Sequence, residues 1–105
     1  MFAEKAVVDH FARLGGRLLA ERWRGKSGEI DLVFQMEEVI FVDVKASATH
    51  ERALAALQTL QIKRLVHAGE EFLEAHFCSS LVAARFDVAL VDQEMQIRIV
   101  ENALL

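Results

Sequence analysis

Asp31, Asp43 and Lys45 have the side-chain types and the spacing of a site that hydrolyses phosphodiesters. Asp43 interrupts an otherwise apolar segment, and an ionised carboxylate there is costly unless a cation balances it. Two neighbouring aspartates can bind Mg²⁺ or Mn²⁺ through oxygen, and the ion would polarise a phosphate and lower the pKa of a bound water. Lys45 would then orient that water or neutralise the charge that develops on the phosphate.

A simpler interpretation of these three residues is a structural Asp–Lys ion pair on a partly exposed strand, because the D-x-K spacing is common. Three features favour the metal site. Both acids lie on predicted strands, the segment between them has the length of a hairpin, and Glu4 can join them. Glu4 lies beside Val7, Val8 and Phe11 on a predicted helix and can point toward the sheet, although an acid in a first helical turn is also favourable by itself.

The first element that must position the site is a strand over residues 29–35. Its even-numbered side chains Ile30, Leu32 and Phe34 are apolar and are expected to share one face of the strand. Asp31 is expected on the other face.

The second element is a strand over residues 39–45, which is rich in β-branched side chains. Asp43 and Lys45 share one face of it, and residues 36–38 form a short connection to the preceding strand. An antiparallel hairpin of this kind would bring Asp31 and Asp43 near each other.

The remaining elements follow from periodicity and turn residues. The spacing predicts helices over residues 2–14 and mostly over 52–76, after a loop at 46–51, and strands over residues 17–24, 83–91 and 95–100. Gly69 lies in the apolar stripe of the second helix, where it would permit close packing against a sheet. The order α-β-β-β-α-β-β predicts an α/β fold with a mixed β-sheet flanked by helices, in one domain over residues 1–105.

Composition restricts the class of protein. The chain is 53% hydrophobic and has one cysteine, so an internal disulfide and a multi-cysteine zinc site are excluded. No apolar run approaches the ~20 residues that cross a bilayer, and no signal peptide is visible. These features predict a cytoplasmic protein with no membrane association.

The charge is unevenly distributed. Residues 1–28 carry six cations and three acids, whereas the whole chain has a net charge of -4. A basic end of this kind can hold a polyanion, and ordinary surface charge is the alternative interpretation. The candidate nucleic-acid-binding residues are Arg22, Arg24, Lys26 and Lys63.

Four segments in this order resemble the YraN-like family of uncharacterised bacterial proteins. They are SGEIDLVF at 27–34, VIFVDVKAS at 39–47, QIKRL at 61–65 and RFDV at 85–88. The D-x-K element alone is weak, but the four together are specific and extend across nearly the whole chain.

The family is regarded as having the restriction-endonuclease-like PD-(D/E)XK nuclease core and as similar to archaeal Holliday-junction resolvases. This resemblance implies that Asp31 and Asp43 bind the metal and that Lys45 supports catalysis. It also implies that Glu4 is the acid of the first helix and that Glu29 is an auxiliary metal ligand.

Three positions depart from that pattern. No proline precedes Asp31, Asp43 replaces the usual glutamate, and Ser47 stands where the family often has a basic residue.

Two functions from different classes follow. The first is a Mg²⁺- or Mn²⁺-dependent endonuclease acting on DNA, with branched or structured DNA as a candidate substrate. The second is a non-catalytic module that retains the fold and binds nucleic acid or a partner. A structural protein whose acids serve only stability is a third and weaker option, and whether the chain forms a homodimer stays open.

Overall fold

The computed structural model describes residues 2–47, 59–79 and 81–103. In these ranges the chain follows the order α-β-β-β-α-β-β, which confirms the predicted α/β class and element order. The elements are helix α1 (Phe2–Arg13), strands β1 (Arg17–Arg24), β2 (Glu29–Gln35) and β3 (Val39–Ala46), helix α2 (Thr59–Phe77), and strands β4 (Ala84–Val91) and β5 (Ile97–Val100).

The element bounds agree closely with those expected from the sequence. β2 has the predicted limits, and β3 extends one residue further than predicted. Residues 48–58, which include most of the predicted loop and the start of the predicted second helix, lie outside the described residues. β5 begins two residues later than predicted because Met95 has a left-handed φ of 61° and donates its N–H to the carbonyl of Asp92 in a tight turn.

The strands form one mixed sheet in the order β1-β2-β3-β4-β5. The β3/β4 pair is parallel and the other neighbouring pairs are antiparallel. A parallel pair needs a long crossover connection, and α2 lies in the connection between β3 and β4.

The two helices cover opposite faces of the sheet. On β3, Ile40, Val42 and Val44 belong to the core cluster that contains the buried residues of α1. Val39 and Phe41 belong to the cluster that contains the buried residues of α2. The alternation of β3 therefore puts Asp43 and Lys45 on one face, as the sequence predicts, and the structure shows that α2 covers this face.

Gly69 explains how closely α2 approaches that face. A Cβ atom on this residue would lie 2.8 Å from Cζ of Phe86 and 3.2 Å from Cε2 of Phe41. The helix therefore packs directly on the aromatic rings of β3 and β4, which confirms the expectation for this glycine. In the described part of the chain, no helix combines the length and the apolar character needed to span a membrane.

Candidate metal centre

The candidate site lies where β2 and β3 separate. Their pairing ends with Leu32 opposite Val42. Beyond that point a side chain replaces the backbone of β2 as the acceptor, because Oδ2 of Asp31 accepts the N–H of Val44 at 2.7 Å. The side chain of Asp31 thus fills the gap that opens between the two strands.

The alternation of β2 also breaks at Asp31. Leu32 packs in the cluster under α1, but Ile30 packs with the residues of α2. The expectation that Ile30, Leu32 and Phe34 share one face was therefore wrong for Ile30. The change of face falls at Asp31, which has no partner in the β1/β2 register, whereas the expectation assumed uninterrupted alternation.

Arg22 forms the other side of this irregularity. The register of β1 and β2 runs from Glu21 opposite Leu32 to Trp23 opposite Ile30 and omits Arg22 and Asp31. Arg22 has a left-handed φ of 48°, which costs a non-glycine residue about 1–3 kcal/mol. Among the described residues, one of the four non-glycine residues with a left-handed φ therefore lies beside the candidate site.

The carboxyl groups of Asp31 and Asp43 are near enough for each to shift the pKa of the other. Burial is the main cause that raises the pKa of Asp31 to about 6, and the N–H of Val44 opposes this rise. The negative charges of Asp43 and Glu4 raise it further. Without a metal ion, the pair therefore retains a proton at pH values well above those at which aspartate normally ionises.

Asp43 is the more deeply buried member, with 4% of its surface exposed. Burial raises its pKa, and the positive charge of Lys45 opposes that rise. Nζ of Lys45 lies 3.4 Å from its Oδ2, yet this buried oxygen accepts no hydrogen bond among the described residues. A buried acceptor without a hydrogen bond is costly, so Asp43 is only partly compensated by the protein.

Lys45 is held by a second contact that sequence reasoning missed. Its Nζ donates to Oε1 of Gln61 on α2 at 3.2 Å. Gln61 is the first residue of the QIKRL segment, so that motif was the available signal. The ammonium group is thereby fixed between the acid pair and the helix.

Glu4 lies at the margin of the acid pair. The charge of its carboxylate is the smallest of the causes that raise the pKa of Asp31. Its Oε1 accepts from Nε of Arg22 at 3.4 Å. Asp31, Asp43 and Lys45 are therefore neighbours, whereas Glu4 on α1 is linked to Asp31 through its charge and to Arg22 through an ion pair.

Glu29, the predicted auxiliary ligand, is engaged elsewhere. Its Oε2 accepts from Arg24 at 3.1 Å on the exposed end of the hairpin. Within the described ranges, no three acidic, histidine or cysteine residues are arranged to hold a metal ion together.

The donor set of Asp31 and Asp43 nevertheless suits one class of ion. Mg²⁺ is usually bound by one or two carboxylates, and its other ligands are waters and substrate phosphates. The Oδ2 of Asp43, which accepts no hydrogen bond among the described residues, is a carboxylate oxygen that could bind such an ion. The residues present therefore suit Mg²⁺ or Mn²⁺, which keep water molecules among their ligands, better than an ion that needs only protein ligands.

The predicted nucleic-acid-binding residues are exposed on two elements. Arg22, Arg24 and Lys26 lie on β1 and the loop that follows it, and Lys63 lies on α2. That loop is tied to α2 by Glu71, another residue that sequence reasoning missed. No local signal marked it, because its partners are more than 40 residues away along the chain.

The comparisons with known proteins all indicate the same family. The sequence model of uncharacterised protein family UPF0102 matches residues 3–91. A UPF0102 protein of Cereibacter sphaeroides is 47% identical over 102 residues, which cover 96% of this chain and 87% of that protein. A UPF0102 protein of Ruegeria pomeroyi is 46% identical over 102 residues, covering 96% and 83% of the two chains. The chain therefore belongs to the uncharacterised protein family UPF0102.

Proposed function

We propose that this protein is a metal-dependent nuclease that hydrolyses phosphodiester bonds in DNA. The observation that carries the proposal is the pair of neighbouring acids Asp31 and Asp43, in which the buried Oδ2 of Asp43 accepts no hydrogen bond from the residues that the structure describes. An acid pair that served only stability would be expected to have its buried oxygens satisfied.

Asp31 and Asp43 would hold Mg²⁺ or Mn²⁺. When bound, such an ion polarises a phosphate and lowers the pKa of a water molecule. The two aspartates would then be ionised together, because the cation removes the repulsion that otherwise keeps a proton on the pair. Glu29 would contribute as an auxiliary ligand only after leaving Arg24.

Lys45 would act on the reacting phosphate or on the attacking water. An ammonium group has three donors; one of them is bonded to Gln61, and the contact with Asp43 at 3.4 Å is an ion pair without a hydrogen bond. A further donor can serve a phosphate oxygen or a water molecule, where positive charge stabilises the transition state. Because two contacts already hold Nζ, little reorganisation is needed when the substrate arrives.

The substrate would approach along the basic side of the first hairpin. Arg22 lies beside Glu4, and Arg24 and Lys26 follow on the strand and its loop. Lys63 adds an exposed cation on α2. Such cations bind the phosphate backbone without reading its sequence. A branched or structured DNA would be cut on two strands by two sites, which a homodimer would supply.

The test is a cleavage assay on linear, flapped and four-way DNA with Mg²⁺ or Mn²⁺ against EDTA. We expect metal-dependent cleavage by the wild type and a loss of about 100- to 1000-fold in Lys45→Ala. DNA affinity of this variant should stay within a few-fold of the wild type, because Lys45 acts on the chemistry. Arg98→Ala is the matched control, since it removes an exposed cation from β5.

The opposite result favours a different function. If the wild type binds DNA with or without metal and cleaves no DNA or RNA substrate, the nuclease proposal fails. The protein would then be a nucleic-acid-binding module that retains the acid pair without catalysis.

A further inference from the structure

The loop between β1 and β2, residues 25–28, is held to helix α2 by one carboxylate. Oε2 of Glu71 accepts the N–H of Lys26 at 2.8 Å, and Oε1 accepts the N–H of Ser27 at 2.9 Å. The loop is closed internally by the N–H of Gly25, which donates to the carbonyl of Gly28 at 2.9 Å. Glu71 therefore binds the backbone of the loop, and the charged side chain of Lys26 remains exposed.

The packing around this clasp leaves the loop little freedom. A Cβ atom at Gly25 would lie 2.8 Å from Cζ3 of Trp23 and 3.0 Å from Oε1 of Glu71. Trp23 packs edge-on against Phe72, the residue that follows Glu71 on the helix, with ring centroids 5.4 Å apart. The hairpin end is thus fastened to α2 by an aromatic contact and by two hydrogen bonds to a carboxylate.

The fastened loop lies beside cations of α2. A Cβ atom at Gly28 would be 3.5 Å from Cβ of Arg64, so the loop backbone contacts the helix at that residue. Arg24, Lys26 and Arg64 are all exposed. These three residues, here called the basic strip, come from two elements that are far apart in sequence and adjacent in space. Within the described residues, Arg64 forms no ion pair.

The basic strip runs toward the acid pair. Arg24 pairs with Glu29, which is two residues before Asp31 on β2, or roughly 6–7 Å along the strand. On the helix, Arg64 follows Gln61, the partner of Lys45, by less than one turn. A polyanion bound on the strip would therefore pass the candidate metal centre.

We propose that Glu71 is a positioning residue that fixes Arg24 and Lys26 beside Arg64, so that the basic strip binds the phosphates of a nucleic-acid backbone next to the acid pair. This inference rests on the proposed function and specifies the surface by which that function recognises its substrate. Hydrogen bonds from the loop amides also lower the pKa of Glu71, so the clasp stays intact at neutral pH.

The sign of one mutational effect separates this role from plain electrostatics. Glu71 is an acid within a surface that binds phosphates, so removing its charge should strengthen DNA binding if only charge matters. If Glu71 positions the loop, its removal should weaken binding. Glu70→Ala is the matched control, because it removes one exposed acid from the same helix and leaves both hydrogen bonds of Glu71 to the loop in place.

The experiment measures the affinity of a labelled DNA duplex in EDTA, where no cleavage occurs, as a function of salt. At about 0.1 M salt, we expect Glu71→Ala to bind DNA about five- to tenfold more weakly for each phosphate that the basic strip no longer neutralises. The affinity of this variant should also depend less steeply on salt concentration. Glu70→Ala should bind equally well or more tightly. In an Arg24→Gln/Lys26→Gln background, Glu71→Ala should have no further effect, which a general loss of stability would not produce.

Thermal unfolding of each variant ensures that folded protein is compared. If Glu71→Ala does not fold, Glu71→Asp keeps the charge, shortens the reach of the carboxylate and should also weaken binding. If the wild type binds and either folded Glu71 variant binds as tightly as Glu70→Ala, the inference is overturned and the nuclease proposal stands. If the wild type binds no DNA, both fail.

Discussion

Burial disfavours the ionised form of two aspartates on neighbouring strands, Asp43 on β3 and Asp87 on β4, and the protein surrounds them with different partners. Burial raises the pKa of both. They are one register position apart, since Asp87 lies opposite Val42 and Asp43 lies opposite Val88. Each has a cation two residues away on its own strand. The local sequences R-x-D and D-x-K therefore describe similar chemistry on opposite faces of the sheet.

Both carboxylate oxygens of Asp87 accept hydrogen bonds from the protein. Arg85 donates to its two oxygens from Nε at 3.0 Å and from the terminal nitrogen Nη2 at 3.1 Å, and the N–H of Asn102 donates at 3.2 Å. Burial alone would lower the pKa of Arg85, but Asp87, Glu101 and Glu38 raise it above its ordinary value. This network explains the RFDV segment as a structural ion pair.

Asp43 lacks such a network. It has one cation at 3.4 Å, a second carboxyl group beside it, and an Oδ2 without a hydrogen bond in the described structure. The comparison teaches that a buried Asp with a nearby cation is not by itself a sign of function. What distinguishes the candidate site is incomplete compensation, which an external cation would complete.

The largest expected effect is on stability, and it should separate the two aspartates. Asp87→Asn should lower the free energy of unfolding by about 3–5 kcal/mol, because it breaks a buried ion pair and leaves Arg85 with less compensation. Asp43→Asn should change it by less than about 1 kcal/mol, since it relieves repulsion with Asp31 and Lys45 keeps Gln61. Urea unfolding at pH 7 with EDTA measures both, and equal losses would erase the distinction.

The next effect is the response to metal. Mg²⁺ or Mn²⁺ should stabilise the wild type by about 2.7 kcal/mol at a hundredfold excess over Kd, because the ion binds only the folded acid pair. Asp31→Asn and Asp43→Asn should abolish this response, and Glu70→Gln should keep it. Calorimetry with an identical metal response in the wild type and both aspartate variants would refute the site.

A smaller effect concerns pH in the absence of metal. The folded-state pKa of Asp31 is raised from 3.8 to about 6, so the folded protein binds more protons than the unfolded chain between these values. Its contribution to stability therefore falls as pH rises through that window. Relative to Asp31→Asn, the wild type should lose about 1–2 kcal/mol from pH 4 to pH 7, after allowance for solvent screening. A flat difference between the two proteins would contradict the shift.

Much of the frame of the site was predictable from local pattern. The hairpin of β2 and β3 follows from alternation, β-branched residues and a short connection, and its bounds agree with prediction to within one residue. The faces of Asp43 and Lys45 follow from the same alternation. Gly69 could be assigned to close packing because a residue without a side chain in an apolar helical stripe lets the helix backbone approach the sheet.

The parts that could not be predicted depend on contacts between distant segments. The bond from Lys45 to Gln61 and the clasp of Glu71 join elements that only the fold brings together. The change of face at Ile30 coincides with the positions Arg22 and Asp31, which are missing from the β1/β2 pairing, and no residue type there indicates it. A left-handed arginine in a strand is a local conflict that tertiary structure imposes, and such conflicts concentrate at functional sites.

The smallest expected effect tests that conflict directly by comparing Arg22→Gly with Arg24→Gly. Each change removes one exposed cation and one ion pair, at 3.4 Å to Glu4 or 3.1 Å to Glu29. Of these two arginines, Arg22 has a left-handed φ and Arg24 does not, so glycine relieves strain at residue 22, whereas at residue 24 it only adds freedom to the unfolded chain. Arg22→Gly should therefore be more stable than Arg24→Gly by about 1 kcal/mol in urea unfolding. If Arg22 also holds phosphate beside the acid pair, the more stable variant should still cleave DNA less well than the wild type. Equal stability of the two variants would mean that the strain is absent, and the interruption opposite Asp31 would then need another cause.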